Sequence, residues 1–213
     1  MSHDALIHDL SAGLTPVRRR SVACETALLL GLGALELVLF LGMGAMRPDM
    51  GQQIATPFMW WKLGGLALVA AIGCTTAVRS LTPTASPRPG VRLTLIAAAL
   101  VMIAGMMLDP GSASQAPLIE RIHPLQGMAC AFAIIVLSLP VVAMMTILMH
   151  RAAPTNAEGS ALAIGLAAGS WGAFVFAFCC RFNDPLYVAI WYSAACALVA
   201  GTARWLLPRG FRL

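Results

Sequence analysis

The chemistry open to this chain rests on its thiols and on one carboxylate in an unusual setting. There are six cysteines, Cys24, Cys74, Cys130, Cys179, Cys180 and Cys196. They are too few and too scattered for a disulfide scaffold, and no two of them form a C-x-x-C motif. Thiols are soft ligands and redox groups, so two of them meeting in space would suit a soft metal ion or a reversible oxidation. Adjacent cysteines such as Cys179 and Cys180 cannot easily share one metal ion. Glu36 stands between Leu35 and Leu37, in the middle of an apolar run. No serine, histidine and carboxylate set suits hydrolysis, and no helix carries paired carboxylates, so neither an enzymatic activity nor a small-molecule substrate is expected. No cofactor motif stands in the chain, and none is expected.

The elements that must position these groups are membrane helices. Of the 213 residues, 59% are hydrophobic and only 11% are charged. A soluble domain carries about 25% charged residues. This chain has too little polar surface to cover a water-soluble globule. Apolar runs long enough to cross a bilayer lie near Cys24–Met46, Phe58–Val78, Val91–Leu108, Leu125–Met149, Ser160–Cys180 and Pro185–Leu207. The reading is therefore all-α, an integral membrane bundle of six transmembrane helices. The second and fifth runs are rich in Gly and Ala, which suits close helix packing. Pro140 lies inside the fourth and should kink it. The Pro- and Thr-rich Arg79–Pro89 connection should be extended. The first run is too long for a cleavable signal, so the whole chain is expected to stay in the membrane.

Charge orients the bundle. Ten of the 14 basic residues fall on one side: Arg18, Arg19, Arg20, Arg79, Arg88, Arg92, Arg151, Arg204, Arg209 and Arg212. Arg47, Lys62, Arg121 and Arg181 fall on the other. The positive-inside rule then places both termini in the cytoplasm of a bacterial inner membrane, and explains the net charge without nucleic acid. Trp60, Trp61 and Trp205 sit at span ends, where aromatic rings prefer the headgroup level.

With that orientation, Cys130 enters the fourth span about one turn from the periplasmic face, and Cys179 and Cys180 close the fifth span at the same level. His123 and the Arg181–Pro185 connection share that level. Cys130 and Cys180 could form a redox pair, hold a soft metal, or simply pack as small apolar residues, the commonest role of buried cysteine. Cys74 and Cys196 look like packing. A charged carboxylate at mid-bilayer costs about 2.5–3.5 kcal/mol. Glu36 therefore faces the bundle interior, either in a proton- or cation-linked site or hydrogen-bonded to a neighbouring helix; a lone acid favours the second.

Residues 1–23 form the one separate element, ahead of the membrane domain at 24–213. Leu6, Ile7, Leu10 and Leu14 recur at helical spacing and make one apolar stripe, with Asp4 and Asp9 away from it. Gly13 and Pro16 end the pattern. A helix of about ten residues is marginal alone and needs a surface to lie on. Membrane-surface helices usually carry Lys or Arg on the polar face. This one carries Asp and His, which weakens a seat on the membrane relative to the bundle or a groove on a cytosolic protein.

Several short motifs occur in order along the chain: Asp4–Leu10 followed by Thr15–Arg19, then Arg47–Met50, Thr56–Lys62, Cys130, Leu139–Pro140, Cys180–Leu186 and Ile190–Tyr192. In these residues the chain resembles the NrsF-type family (negative regulator of sigma-F) of six-span membrane anti-sigma factors. The resemblance implies that the cytoplasmic tail holds an ECF-type sigma factor inactive, and that periplasmic-side cysteines, here Cys130 and Cys180, sense heavy-metal or oxidative stress. Cys179 stands beside Cys180 and shares its candidacy. The other reading is a small multi-pass transporter or thiol-redox membrane protein, for which Glu36 and the cysteines would be the working groups.

Overall fold

The computed structural model describes residues 7–8, 11–12, 21–108, 117, 121–152 and 154–211. Six of its helices are long and apolar enough to cross a membrane. They are α1 (Val22–Gly42), α3 (Pro57–Ser80), α4 (Pro87–Met107), α5 (Pro124–Ala152), α6 (Ala157–Ala177) and α7 (Pro185–Leu206). A four-residue helix, α2 (Met50–Gln53), joins α1 to α3, and a 3-10 turn, Leu207–Phe211, follows α7. The fold is all-α, as the composition and apolar runs require.

Local chemistry sets the helix starts. The spans α3, α4, α5 and α7 each begin at a proline, whose missing N–H costs nothing in the first turn. The Thr56, Asn156 and Asp184 side chains accept from the N–H groups of Met59, Gly159 and Leu186. Several boundaries differ from the hydropathy reading, α4 starting at Pro87 and not Val91 among them, and two bear on the site. The first span ends at Gly42, because Gly44 turns the chain at φ 75, a conformation that suits glycine. The fifth ends at Ala177, so Cys179 and Cys180 lie beyond the helix and not in its last turn. The helix α5 continues through Pro140.

The connection after α3 is not extended. The N–H groups of Leu81, Thr82 and Ala85 bond back to Val78, Arg79 and Thr82, and the Ser160 hydroxyl donates to the Ser80 carbonyl at 3.0 Å. Buried carbonyls at a helix end must find donors, and tight turns supply them where an extended strand would not.

The span α6 is the axis of the bundle and packs on α3, α7 and α5. Small residues allow it. A Cβ added at Gly165 would meet the Ala200 Cα at 2.5 Å, and one at Gly172 would meet the Ile134 carbonyl oxygen at 2.6 Å. Lipid tails are as apolar as leucine, so membrane helices gain by close backbone approach and not by hydrophobic burial. The core divides along the axis. One half gathers Val78, Leu81, Met145, Met149 and Ile164 near Ser80. The other gathers Ile134, Phe176, Cys180, Tyr187 and Tyr192 near the α6–α7 connection. The second half carries the candidate site.

Candidate functional site

The α6–α7 connection, Phe178–Asp184, crosses the end of the bundle as a strap. Its backbone leaves helical geometry after Ala177, so its carbonyls need partners. Two buried cations supply them. Arg47 is 4% exposed and Lys62 is 1% exposed. Arg47 Nη1 donates to the Cys180 carbonyl at 3.2 Å and to Asn183 Oδ1 at 3.0 Å. Its Nε and Nη2 clasp both Asp49 oxygens at 2.7 Å. Lys62 Nζ donates to the same Cys180 carbonyl at 3.4 Å and to that of Phe182 at 3.1 Å. Its ammonium also lies 5.6 Å from the Tyr192 ring centre, within cation–π range. A buried cation is tolerated only when so surrounded, and hydrogen bonds to a charged group are worth about 1.5–3 kcal/mol each.

The thiols meet beneath this strap. Tyr187 donates its hydroxyl proton to Cys130 Sγ at 3.0 Å, and the Cys130 thiol in turn reaches Cys180. No disulfide joins the two. The hydrogen bond from Cys130 is the main reason the Cys180 thiol sits below its ordinary value; burial opposes it, and Lys62 and the Tyr192 hydroxyl add to it. Cys179 behaves otherwise. Its thiol donates to the Phe176 carbonyl at 3.3 Å, and burial pushes its pKa up to about 11. Of the adjacent pair, Cys180 is therefore the one turned to Cys130 and the lysine.

Aromatic rings and one ion pair close the site. Phe182 stacks on Tyr187 with centroids 4.4 Å apart, and His123 lies 5.0 Å from Phe182 on its other side. Arg121 donates from Nε and Nη2 to Asp184 at 2.7 and 2.9 Å. Burial acts against it, but Arg121 and the Leu186 N–H hold Asp184 below the usual carboxylate range. Trp191 donates to the Ile122 carbonyl at 2.8 Å. The strap is thus tied to the chain after α1, to α3, and to the entrance of α5.

The other predicted residues lie elsewhere. Glu36 accepts from Trp171 Nε1 of α6 at 2.9 Å through Oε2, while Oε1 is buried and has no partner among the described residues. Cys74 and Cys196 are partly buried against the two core clusters. In the tail, Ile7 is helical and exposed, as are His8, Ser11 and Ala12. Leu6, Leu10 and Leu14 lie outside the described residues. Among the described residues, no three His, Cys, Asp or Glu side chains group as a metal site; two thiols alone remain where a soft ion could be held.

Sequence reasoning missed Arg47, Lys62, Tyr187 and Tyr192. Lys62 was visible as a charge at the mouth of an apolar run, the kind of residue that marks a functional centre in a membrane. The sequence gives it a place in the topology and at the end of the Thr56–Lys62 motif but no role at the site, because nothing local shows that its partners are carbonyls over a hundred residues away.

Comparison with known proteins adds a family. The model described as "Negative regulator of sigma F" matches residues 10–213. The "Anti-sigma-F factor NrsF" of Caulobacter vibrioides is 31% identical over 209 residues, covering 96% of each chain. The "Probable anti-sigma-F factor NrsF" of Azospira oryzae is 31% identical over 198 residues, covering 90% of each. No solved structure matches.

Proposed function

The chain belongs to the NrsF family of negative regulators of sigma F, and from that footing we propose that it is an inner-membrane anti-sigma factor whose cytoplasmic tail sequesters an ECF-type sigma factor. Residues 1–23 are the partner element and 24–213 the membrane domain. The face of Leu6, Ile7, Leu10 and Leu14 covers an apolar groove on the sigma factor and competes with core polymerase. Both termini lie in the cytoplasm, which the excess of arginine at that end favours.

The stimulus is heavy-metal or oxidative stress read at Cys130 and Cys180 on the periplasmic side. The observation that supports this is their meeting under one strap, beside a buried lysine, at the end of the bundle opposite the start of α1. Soft ions and oxidants both attack thiolate sulfur, and a thiol held below its ordinary value offers more of it.

Two measurements test the two halves. Co-purification with the sigma factor encoded beside this gene should fall at least tenfold in the Leu6→Asp/Leu10→Asp double variant, since burying two carboxylates in an apolar groove is costly. Undiminished capture would sink the tail-groove model. Replacing Cys130 and Cys180 by Ser should abolish induction of sigma-dependent genes by metals and oxidants; a normal response removes the sensor assignment.

A further inference from the structure

On that reading a change at the cysteines must reach the tail, and α1 is the span that joins the two ends. It is the least embedded of the six. Only 6% of its membrane stretch is buried in the bundle, against 78% of α6, and Gly33 is its one buried residue. Two polar attachments hold its middle and its far end among the described residues. Midway, Glu36 accepts from Trp171. Beyond its end, after the turn at Gly44, Arg47 enters the strap: its backbone N–H donates to the Phe178 carbonyl at 3.2 Å and its guanidinium holds Cys180, Asn183 and Asp49.

The Cys180 carbonyl receives donors from two directions. Lys62 reaches it from α3, a span packed firmly on α6 and α4. Arg47 reaches it from the chain that ends α1. Sulfur and carbonyl belong to one residue, so an event that alters the Cys130–Cys180 contact shifts the carbonyl against both donors. Lys62 is anchored in a packed helix and does not follow. The α1 side has little packing to resist with.

We propose that Arg47 is the coupling residue, passing a displacement of Cys180 to α1, which swings about the Glu36–Trp171 contact and carries the tail with it. The proposal rests on the anti-sigma reading above. It makes Arg47 a positioning residue, downstream of the thiols, and it makes the strap a two-state latch.

The test is transcription from a sigma-dependent promoter in cells carrying the full chain, with chain abundance in the membrane followed by immunoblot. Arg47→Met should raise unstimulated transcription about tenfold, the scale of losing hydrogen bonds to one buried charge. It should do so equally in the chain carrying Cys130→Ser and Cys180→Ser, which by itself stays silent. Normal abundance with unchanged transcription overturns the proposal, as does a rise that requires the cysteines. Should the Arg47→Met chain fail to accumulate, Asn183→Ala decides, because it leaves the Arg47–Asp49 pair intact: a smaller, cysteine-independent rise supports the coupling, and none overturns it. Sigma-factor capture by the unaltered chain separates the two levels. Absence of capture removes the anti-sigma reading itself; capture with an unresponsive Arg47→Met removes only the coupling.

Discussion

The spans α1 and α6 have the same length, 21 residues, and comparable hydropathy, 1.9 and 1.6, yet one lies at the rim of the bundle and the other at its axis. Hydropathy measures fitness for lipid and is blind to which neighbour a helix meets. Residue size makes the distinction. Gly159, Gly165, Gly169 and Gly172 let α6 approach its partners closely, whereas α1 carries Leu and Val outward and touches α5 and α3 lightly, with the Trp171 ring of α6 filling the space over Gly33. A helix held by packing is a frame. A helix with little packing is one that can move.

The sharpest test of this contrast uses glycines. Gly165→Val should cost about 3 kcal/mol or more, because the added Cβ would fall 2.5 Å from backbone. Gly31→Val in α1 meets nothing within 4 Å and should change stability by less than about 0.5 kcal/mol. Thermal unfolding in detergent measures both, and equal losses would erase the distinction between frame and rim.

Next in size is the pair that clamps the strap. Asp184→Asn should cost about 2 kcal/mol, since it leaves Arg121 without its carboxylate in a partly buried setting. The pH dependence has a definite sign. Asp184 is lowered from its ordinary 3.8, so its contribution is fully present above that value and is lost as pH falls through the depressed one. Melting should hold between pH 7 and 5 and fall only below about 4, and Asp184→Asn should flatten that acid loss.

The smallest effect belongs to the rim. Trp171→Phe keeps most of the ring volume but removes the donor to Glu36, at a cost of about 1 kcal/mol. On the coupling proposal it should raise unstimulated sigma-dependent transcription severalfold while lowering the melting of the bundle by only about 2–4 °C. A large drop in melting with normal repression would assign Glu36 to the frame.

Legibility followed the range of the interaction. The six spans were readable because hydropathy is local; their starts were less so, since the third begins at Pro87 and not Val91 and the fifth at Ala157 and not Ser160, where a first-turn proline and the Asn156 cap extend the helix into polar sequence. The ends at Gly42 and Ala177 have local causes too, but weak ones: Gly44 reads as one more small residue, and Cys179 and Cys180 are apolar enough to continue a hydropathy run. Glu36 announced itself by position, though its partner did not. The thiols could be assigned to one end of the bundle by counting spans, but which of Cys179 and Cys180 turns toward Cys130 depends on where α6 stops, and no propensity fixes that to one residue.

By itself, then, the sequence determined that this chain crosses a membrane six times, that its arginines gather at one end and that thiols lie near the other, since hydropathy, span parity and charge bias are additive along the chain. Only the tertiary structure decided that α1 is the loose span, and that Cys180 shares its carbonyl between Lys62 and Arg47 beneath the strap. Those are matters of which carbonyls a folded backbone leaves unpaired and which distant cations it brings to them, and neither is written in any local stretch of residues.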